Sequence, residues 1–411
     1  MVFSTKSDFK VKRPLSEKIG IQSWKYWDVF PEAIKTDKEL GFKYVNIAIW
    51  FNLKDSKPDG LPDFDGEADK IESALEKCEK LGLKVIINIG GQLGNYSDET
   101  KCFYNTDQLN AIKTFLTNIF ERFKGRGIIW GSWNEPNGNF WTHDDYYGNN
   151  YKLTKSWINF QKWMVSESLL IDTHSLNAVS GLVGLPKTTD KVLDIEKRLR
   201  LFVNATSINT HNYVSSRDAP NQNPEVLIEK GNIYQTDLPK MCNEFGYPIA
   251  GVPGEHWQGD LTMEESAKRL KRQMVIQDYL NYAIMCIYCD VNNCYNLLNN
   301  DGKSANYVGR KVSDFIKKMD GYSLDHKIQV FQNVNYEDDL YLFLYKKDGE
   351  KDRILYWTPK NFGTHVINFN EYNLNLNFTD DIQIIDLGIP TQKEYFPKIE
   401  RDSSLGTRVI I

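Results

Sequence analysis

Two short stretches hold the residue types that could do chemistry: Trp133-Asn-Glu-Pro136 and Cys242-Asn-Glu-Phe-Gly246. Each sets a glutamate, Glu135 or Glu244, behind an apolar run and ahead of a loop that carries Gly or Pro. Singly, neither is diagnostic. Asn, Pro and Gly favour turns, so Asn134-Glu-Pro-Asn-Gly138 also reads as a surface turn, and Glu-x-Gly is a weak signal by itself. As a pair they suggest more, because two carboxyl groups converging on one bond are what cleavage of a glycosidic bond needs. One protonates the leaving oxygen, and the other attacks the anomeric carbon or activates water. That division asks for unequal proton affinities. Glu135 is expected to start protonated, its pKa raised by apolar neighbours such as Trp130 or Trp133, and Glu244 to stay ionised under hydrogen-bond donors.

The elements that must position this pair alternate along the first three-quarters of the chain. Short apolar runs at Lys18–Ser23, Tyr44–Trp50, Lys84–Ile89, Gly127–Trp133, Leu176–Gly181, Ser207–His211, Lys240–Glu244 and Ile284–Asp290 read as eight strands. Stretches of helical spacing follow them. The clearest is Asp107–Lys124, where Leu109, Ile112, Phe115, Leu116, Ile119, Phe120 and Phe123 recur at steps of three and four. Another begins at Thr262-x-x-Glu265, which has the form of a capping box. Eight strand–helix units predict a closed (β/α)8 barrel over residues 1–321, whose working residues belong at the C-terminal ends of the strands. Glu135 then ends strand four and Glu244 strand seven, facing each other across the mouth. From about Tyr322 the period changes. Tyr341–Tyr345 and Arg353–Trp357 read as a hairpin around Asp348-Gly349, with further strands at His365–Phe369, Ile382–Ile385 and Arg408–Ile411. Residues 322–411 are therefore expected to form a small antiparallel β-sandwich. The stretch before Lys18 has no evident barrel role and is a candidate partner for that sandwich.

Composition removes several function classes. The 411 residues are 41% hydrophobic and 26% charged, enough to bury a full core without staples, and the net charge of −5 is spread along the chain. That is not the positive field a nucleic-acid partner needs. No apolar window is long enough to span a membrane, and the N-terminus lacks an apolar signal core, which fits a cytoplasmic protein or an exported one with its signal removed. The six cysteines form no secreted-domain framework. Cys286-x-x-Cys289 falls on a strand whose positions three apart point to opposite faces, so buried free thiols are expected rather than a metal or redox pair. The six histidines form no paired ligand motif, and neither a metal nor a cofactor is expected. Assembly state is left open.

The Asn-Glu-Pro after strand four and the Glu-x-Gly after strand seven resemble glycoside hydrolase clan A, and Trp133-Asn-Glu-Pro-Asn-Gly-Asn-Phe-Trp141 is most similar to glycoside hydrolase family 39 and related polysaccharide-cleaving enzymes. The resemblance implies Glu135 as acid/base, Glu244 as nucleophile, and a retaining mechanism through a covalent glycosyl-enzyme. It implies Asn134 as the residue that bonds the sugar 2-hydroxyl, and His211 and Tyr213 as the strand-six pair beside the nucleophile. Sugar rings pack their C–H faces on aromatic rings. Trp141 and Trp257 are the favoured platforms, with Trp50 at the rim, and each could equally pin its own loop. The chain departs from the clan at the ends of strands two and three, where Ile47-Ala-Ile-Trp50 and Ile87-Asn-Ile-Gly-Gly91 replace the usual Arg and His. At strand eight Tyr288-Cys-Asp290 replaces the usual Trp; Asp290 either bonds a substrate hydroxyl or caps the strand. The expected substrate is an oligo- or polysaccharide with β-linkages. A transglycosylase, an inverting hydrolase or a binding-only barrel would use the same constellation differently.

Overall fold

The computed structural model describes residues 3–23, 30–53, 64–93, 106–137, 141, 151–184, 186–215, 221–230, 237–254, 256, 259–291, 293–330, 336–370 and 372–388. The chain divides into two compact units, Met1–Gly321 and Tyr322–Ile411.

The first unit is a closed barrel of eight parallel strands in sequential order: β1 (Ile19–Gln22), β2 (Tyr44–Leu53), β3 (Lys84–Leu93), β4 (Ile129–Trp133), β5 (Leu176–Val183), β6 (Ser207–His211), β7 (Lys240–Phe245) and β8 (Tyr282–Tyr288). β8 closes on β1 through Ile19↔Met285 to Gln22↔Tyr288. Strands buried on both faces read as continuous apolar runs, which is why the sequence displays them. Around them lie α1 (Phe30–Leu40), α2 (Phe64–Leu81), α3 (Thr106–Arg122), α4 (Tyr151–Ile171), α5 (Pro186–Arg198), α6 (Val226–Lys230), α7 (Met263–Tyr279) and α8 (Tyr307–Lys318). The predicted stripe on α3 turns inward, with Ile112, Phe115, Leu116, Ile119 and Phe120 all buried. The box that starts α7 is reciprocal: the Thr262 hydroxyl accepts from the Glu265 N–H at 3.2 Å, and the Glu265 carboxylate from the Thr262 N–H at 3.0 Å.

The stretch before Lys18 has a barrel role after all. Phe9 packs with Tyr44, Ile86, Ile129, Leu176 and Met241 in one apolar cluster. The Asp8 carboxylate accepts from the Tyr44 hydroxyl at 2.7 Å and pairs with Lys84 and Arg13, while Arg13 donates to the Ala283 carbonyl at 2.7 Å. Those partners lie at the N-terminal ends of β2, β3 and β8, so the segment plugs the end of the barrel away from the predicted mouth. A plug joined by such long-range contacts leaves no local period in the sequence.

In the second unit a four-stranded sheet runs β14 (Gln383–Asp386), β11 (Arg353–Trp357), β10 (Tyr341–Lys346), β9 (Ser323–Lys327), and a hairpin pairs β12 (Gly363–Phe369) with β13 (Tyr372–Phe378). Leu342, Leu344 and Ile354 of the first sheet share a core with Ile367, Leu376 and Phe378 of the second, which makes a sandwich. The β10–β11 hairpin is as the sequence predicts, Tyr341 opposite Trp357. The predicted strand Arg408–Ile411 lies outside the described residues. Among the described cysteines Cys78, Cys242, Cys286, Cys289 and Cys294 are buried thiols outside any disulfide; Cys102 lies outside the described residues.

Candidate active site

Glu135 follows β4 with φ of 41°, a left-handed backbone that non-glycine residues adopt rarely and mostly where neighbours enforce it. The neighbours here are on β5. The Glu135 N–H donates to the Gly181 carbonyl at 3.1 Å. The Asn137 side chain clamps Val183, donating to its carbonyl at 2.9 Å and accepting from its N–H at 3.0 Å. Gly181 must be glycine: its φ is +73°, and a Cβ would stand 2.2 Å from the Ser132 hydroxyl. The bulged end of β5 thus grips the loop that aims Glu135 into the mouth.

Glu244 ends β7, its carbonyl accepting from the Asn212 N–H of the neighbouring β6 loop at 3.1 Å. His211, wholly buried at the end of β6, stands between the two carboxylates. Its Nδ1 lies 2.9 Å from Glu135 Oε1 and 3.4 Å from Glu244 Oε2. One ligand-capable atom from each of the three side chains lies within 4.8 Å of the other two, a set that could also hold a metal ion. Tyr213 donates its hydroxyl to Glu244 Oε2 at 3.3 Å. The structure therefore brings together Glu135, Glu244, His211 and Tyr213.

Electrostatics follow from burial. Loss of solvent pushes the Glu244 carboxyl up to about 7; His211 acts against this, the like charge of Glu135 adds to it, and hydrogen bonds from Gln22 and Tyr213 pull it back down. Burial opposes an imidazolium at His211, but the charges of Glu244 and Glu135 outweigh it, and the His211 pKa ends above its ordinary value. Burial first and the Glu244 charge second hold the Tyr213 phenol well above its usual range. The expectation of a firmly ionised Glu244 is thus corrected: its donors soften the cost of burial without cancelling it. Trp130 packs on Phe120 of α3 at 4.8 Å, and Trp133 on Phe51, Trp141 and Phe160.

The remaining expected residues divide. Asn134 is beside the pair, its amide oxygen accepting from Asn88 at 3.0 Å. The half-buried Trp50 ring lies over Gly90, where a Cβ would meet ring carbon at 2.5 Å and the Asn134 Cβ at 3.0 Å, so this rim aromatic is next to Asn134. Trp141 is not an open platform: it is 2% exposed, edge-on to Trp133 at 5.0 Å and tilted on Phe160 at 5.3 Å. Asp290 is buried too, accepting from the Ser23 hydroxyl at 2.5 Å and the Val291 N–H at 2.7 Å, which ties the end of β8 to β1. Trp257 lies outside the described residues.

Sequence reasoning missed three participants. Gln22 ends β1 and bonds Glu244, its own amide oxygen fixed by the Asn46 side chain at 3.0 Å. A polar residue closing an apolar strand at the mouth was the available signal. Asn137 had none, because its partner strand is 46 residues away. Tyr295 packs edge-on against Tyr288 at 5.4 Å and Tyr213 at 6.0 Å, so three tyrosines form one wall beside Glu244.

Among the described residues no helix is long and apolar enough to cross a membrane. No protein-family model and no curated protein sequence matches the chain. Solved structures do. A family 39 glycoside hydrolase from the gut symbiont Bacteroides cellulosilyticus superposes with a TM-score of 0.65 at 13% identity, over 94% of this chain and 82% of that one. A family 30 endoxylanase from Clostridium papyrosolvens gives 0.53 at 12% identity, over 92% and 95%. A family 5 endoglucanase of broad specificity from Clostridum cellulovorans gives 0.53 at 12%, over 77% and 96%. What the chain shares with these structures is the fold, a closed barrel of eight parallel strands.

Proposed function

We propose that the chain is a glycoside hydrolase that cleaves β-linked bonds of an oligo- or polysaccharide by double displacement, with retention of configuration. The observation that carries this reading is the approach of Glu135 and Glu244, with facing atoms within 4.8 Å. Retaining enzymes hold their carboxyl groups about 5–5.5 Å apart, whereas inverting ones leave about 6.5–9.5 Å for a water molecule. The gap here supports retention. The barrel shared with glycoside hydrolases supports the reaction class.

Glu135, reached by solvent at 17% of its side-chain surface, is the proton donor at the mouth. Glu244, deeper at 7%, attacks the anomeric carbon from below the sugar ring. As the glycosidic bond breaks, the proton of Glu135 passes to the leaving oxygen and a Glu244–sugar ester forms. Glu135, now a carboxylate, takes a proton from water, whose oxygen displaces Glu244 and restores both groups. Asn134 bonds the sugar 2-hydroxyl and Trp50 offers a ring face beside it. His211 touches both carboxylates, so it senses which of them carries the proton. The acid limb of kcat/KM should fall near pH 7, since Glu244 must be ionised to attack. The test is proton NMR of the first product released from a panel of β-linked glycans. Release of the β-anomer ahead of mutarotation is expected; initial α-anomer would overturn retention, and no cleavage of any member would overturn the hydrolase.

A further inference from the structure

We propose that Glu135, His211 and Glu244 also form a binding site for a zinc-type divalent cation, which blocks the barrel mouth when occupied. The blocking rests on the hydrolase reading above; the binding does not. Charge points to a cation. Two carboxylates share this mouth, and among the described residues His211 is the one basic side chain that ion-pairs with either.

Geometry selects the kind of cation. Zinc binds imidazole nitrogen and carboxylate oxygen at about 2.0–2.2 Å, so neighbouring ligand atoms in a tetrahedron stand roughly 3.3–3.5 Å apart. The His211–Glu244 separation is already 3.4 Å, His211–Glu135, at 2.9 Å, needs to open by only a few tenths of an ångström, and the Glu135 and Glu244 atoms, within 4.8 Å of each other, must settle to the same spacing. Three protein ligands, with the fourth position left to water, is the ligand count of an accessible zinc site, and three side chains converge here. Calcium wants six to eight oxygens and magnesium a near-ideal octahedron, and three ligands including a nitrogen suit neither. The ligands come from the ends of β4, β6 and β7, and the backbone of Glu135 is clamped to β5, so little ordering is lost on binding. A bound cation would hold both carboxylates and the imidazole lone pair, leaving neither a proton donor nor a free nucleophile.

Equilibrium dialysis of the full chain against zinc chloride tests the binding without any sugar, and cobalt(II), whose visible absorption reports coordination number, tests the geometry. One zinc per chain is expected. Affinity should fall about 100-fold or more in His211→Gln and in Glu135→Gln, given that even an outer partner of a metal ligand is worth about 10–100-fold. It should be unchanged in His326→Gln, an exposed pair with Asp325 in the second unit. Thermal melting of each variant checks folding; should buried His211→Gln fail to fold, partly exposed Glu135→Gln decides. Absence of stoichiometric zinc, or equal affinity in the variants and the wild type, overturns the site. Zinc bound by a chain that cleaves no glycan would sink the hydrolase reading alone, and hydrolysis indifferent to saturating zinc would sink the blocking role alone.

Discussion

Replacing Tyr213 by Phe removes one hydroxyl and keeps the ring, so it isolates what the hydrogen bond to Glu244 does. The bond is 3.3 Å long, beyond the usual 2.5–3.0 Å for O–H···O, but it is buried and its acceptor carries charge. We place its contribution at about 1 kcal/mol, below the 1.5–3 kcal/mol of a well-formed bond to a charged group. The donor favours the carboxylate over the acid, so its loss must raise the Glu244 pKa. At about 1.4 kcal/mol per pH unit the acid limb should rise by about 0.7 units from its position near 7. Well below the limb, kcat/KM then falls about fivefold more than it does above it. The assay is kcat/KM against pH with an aryl β-glycoside, alongside a thermal melt. The melt should barely change, because the ring still packs against Tyr288 and Tyr295. A limb that stays in place, or moves to lower pH, would refute the reasoning.

Two further outcomes follow from other parts of the barrel. Asn137→Ala deletes both bonds to Val183 that hold the loop of Glu135, so kcat should drop by about 10–100-fold with KM little altered, read by steady-state kinetics. Glu196 is wholly buried on α5, and burial pushes its pKa up to about 8, with the Ser180 hydroxyl and Lys197 acting weakly the other way. Its stability contribution is fully present below the unfolded value of 4.5 and is lost as pH rises through about 8. Urea unfolding of wild type and Glu196→Gln should therefore diverge across that window, the variant gaining up to about 5 kcal/mol relative to wild type by its alkaline end. A difference that stays flat with pH contradicts the buried acid.

The barrel was legible because each strand is an apolar run and each helix a stripe, both set by local sequence. Glu135 and Glu244 were legible for the same reason: a polar residue ending a buried strand has to face the mouth. That rule cannot separate a strand-end carboxylate aimed at substrate from one already bonded, and for Asp290 the bonded partner, Ser23, comes from the far end of the unit. Trp141 fails similarly, since a loop tryptophan shows no sign of whether Trp133 and Phe160 have claimed it. β13 was missed because asparagine is poor in strands, although Leu374, Leu376 and Phe378 alternate with Asn373, Asn375 and Asn377. The N-terminal plug and the Asn137 clamp depend on contacts between distant segments and carry no local pattern.

The central claim is that Glu244 forms a bond to the anomeric carbon. Incubation with activated 2-deoxy-2-fluoro β-glycosides, chosen from the sugars that the glycan panel shows to be cleaved, followed by peptide mass mapping, tests it directly. One added fluoroglycosyl mass per chain on the peptide containing Met241-Cys-Asn-Glu-Phe-Gly246, localised to Glu244, is the expected result. Label on Glu135 or any other residue, or turnover of the substrate with no trapped ester, would contradict it.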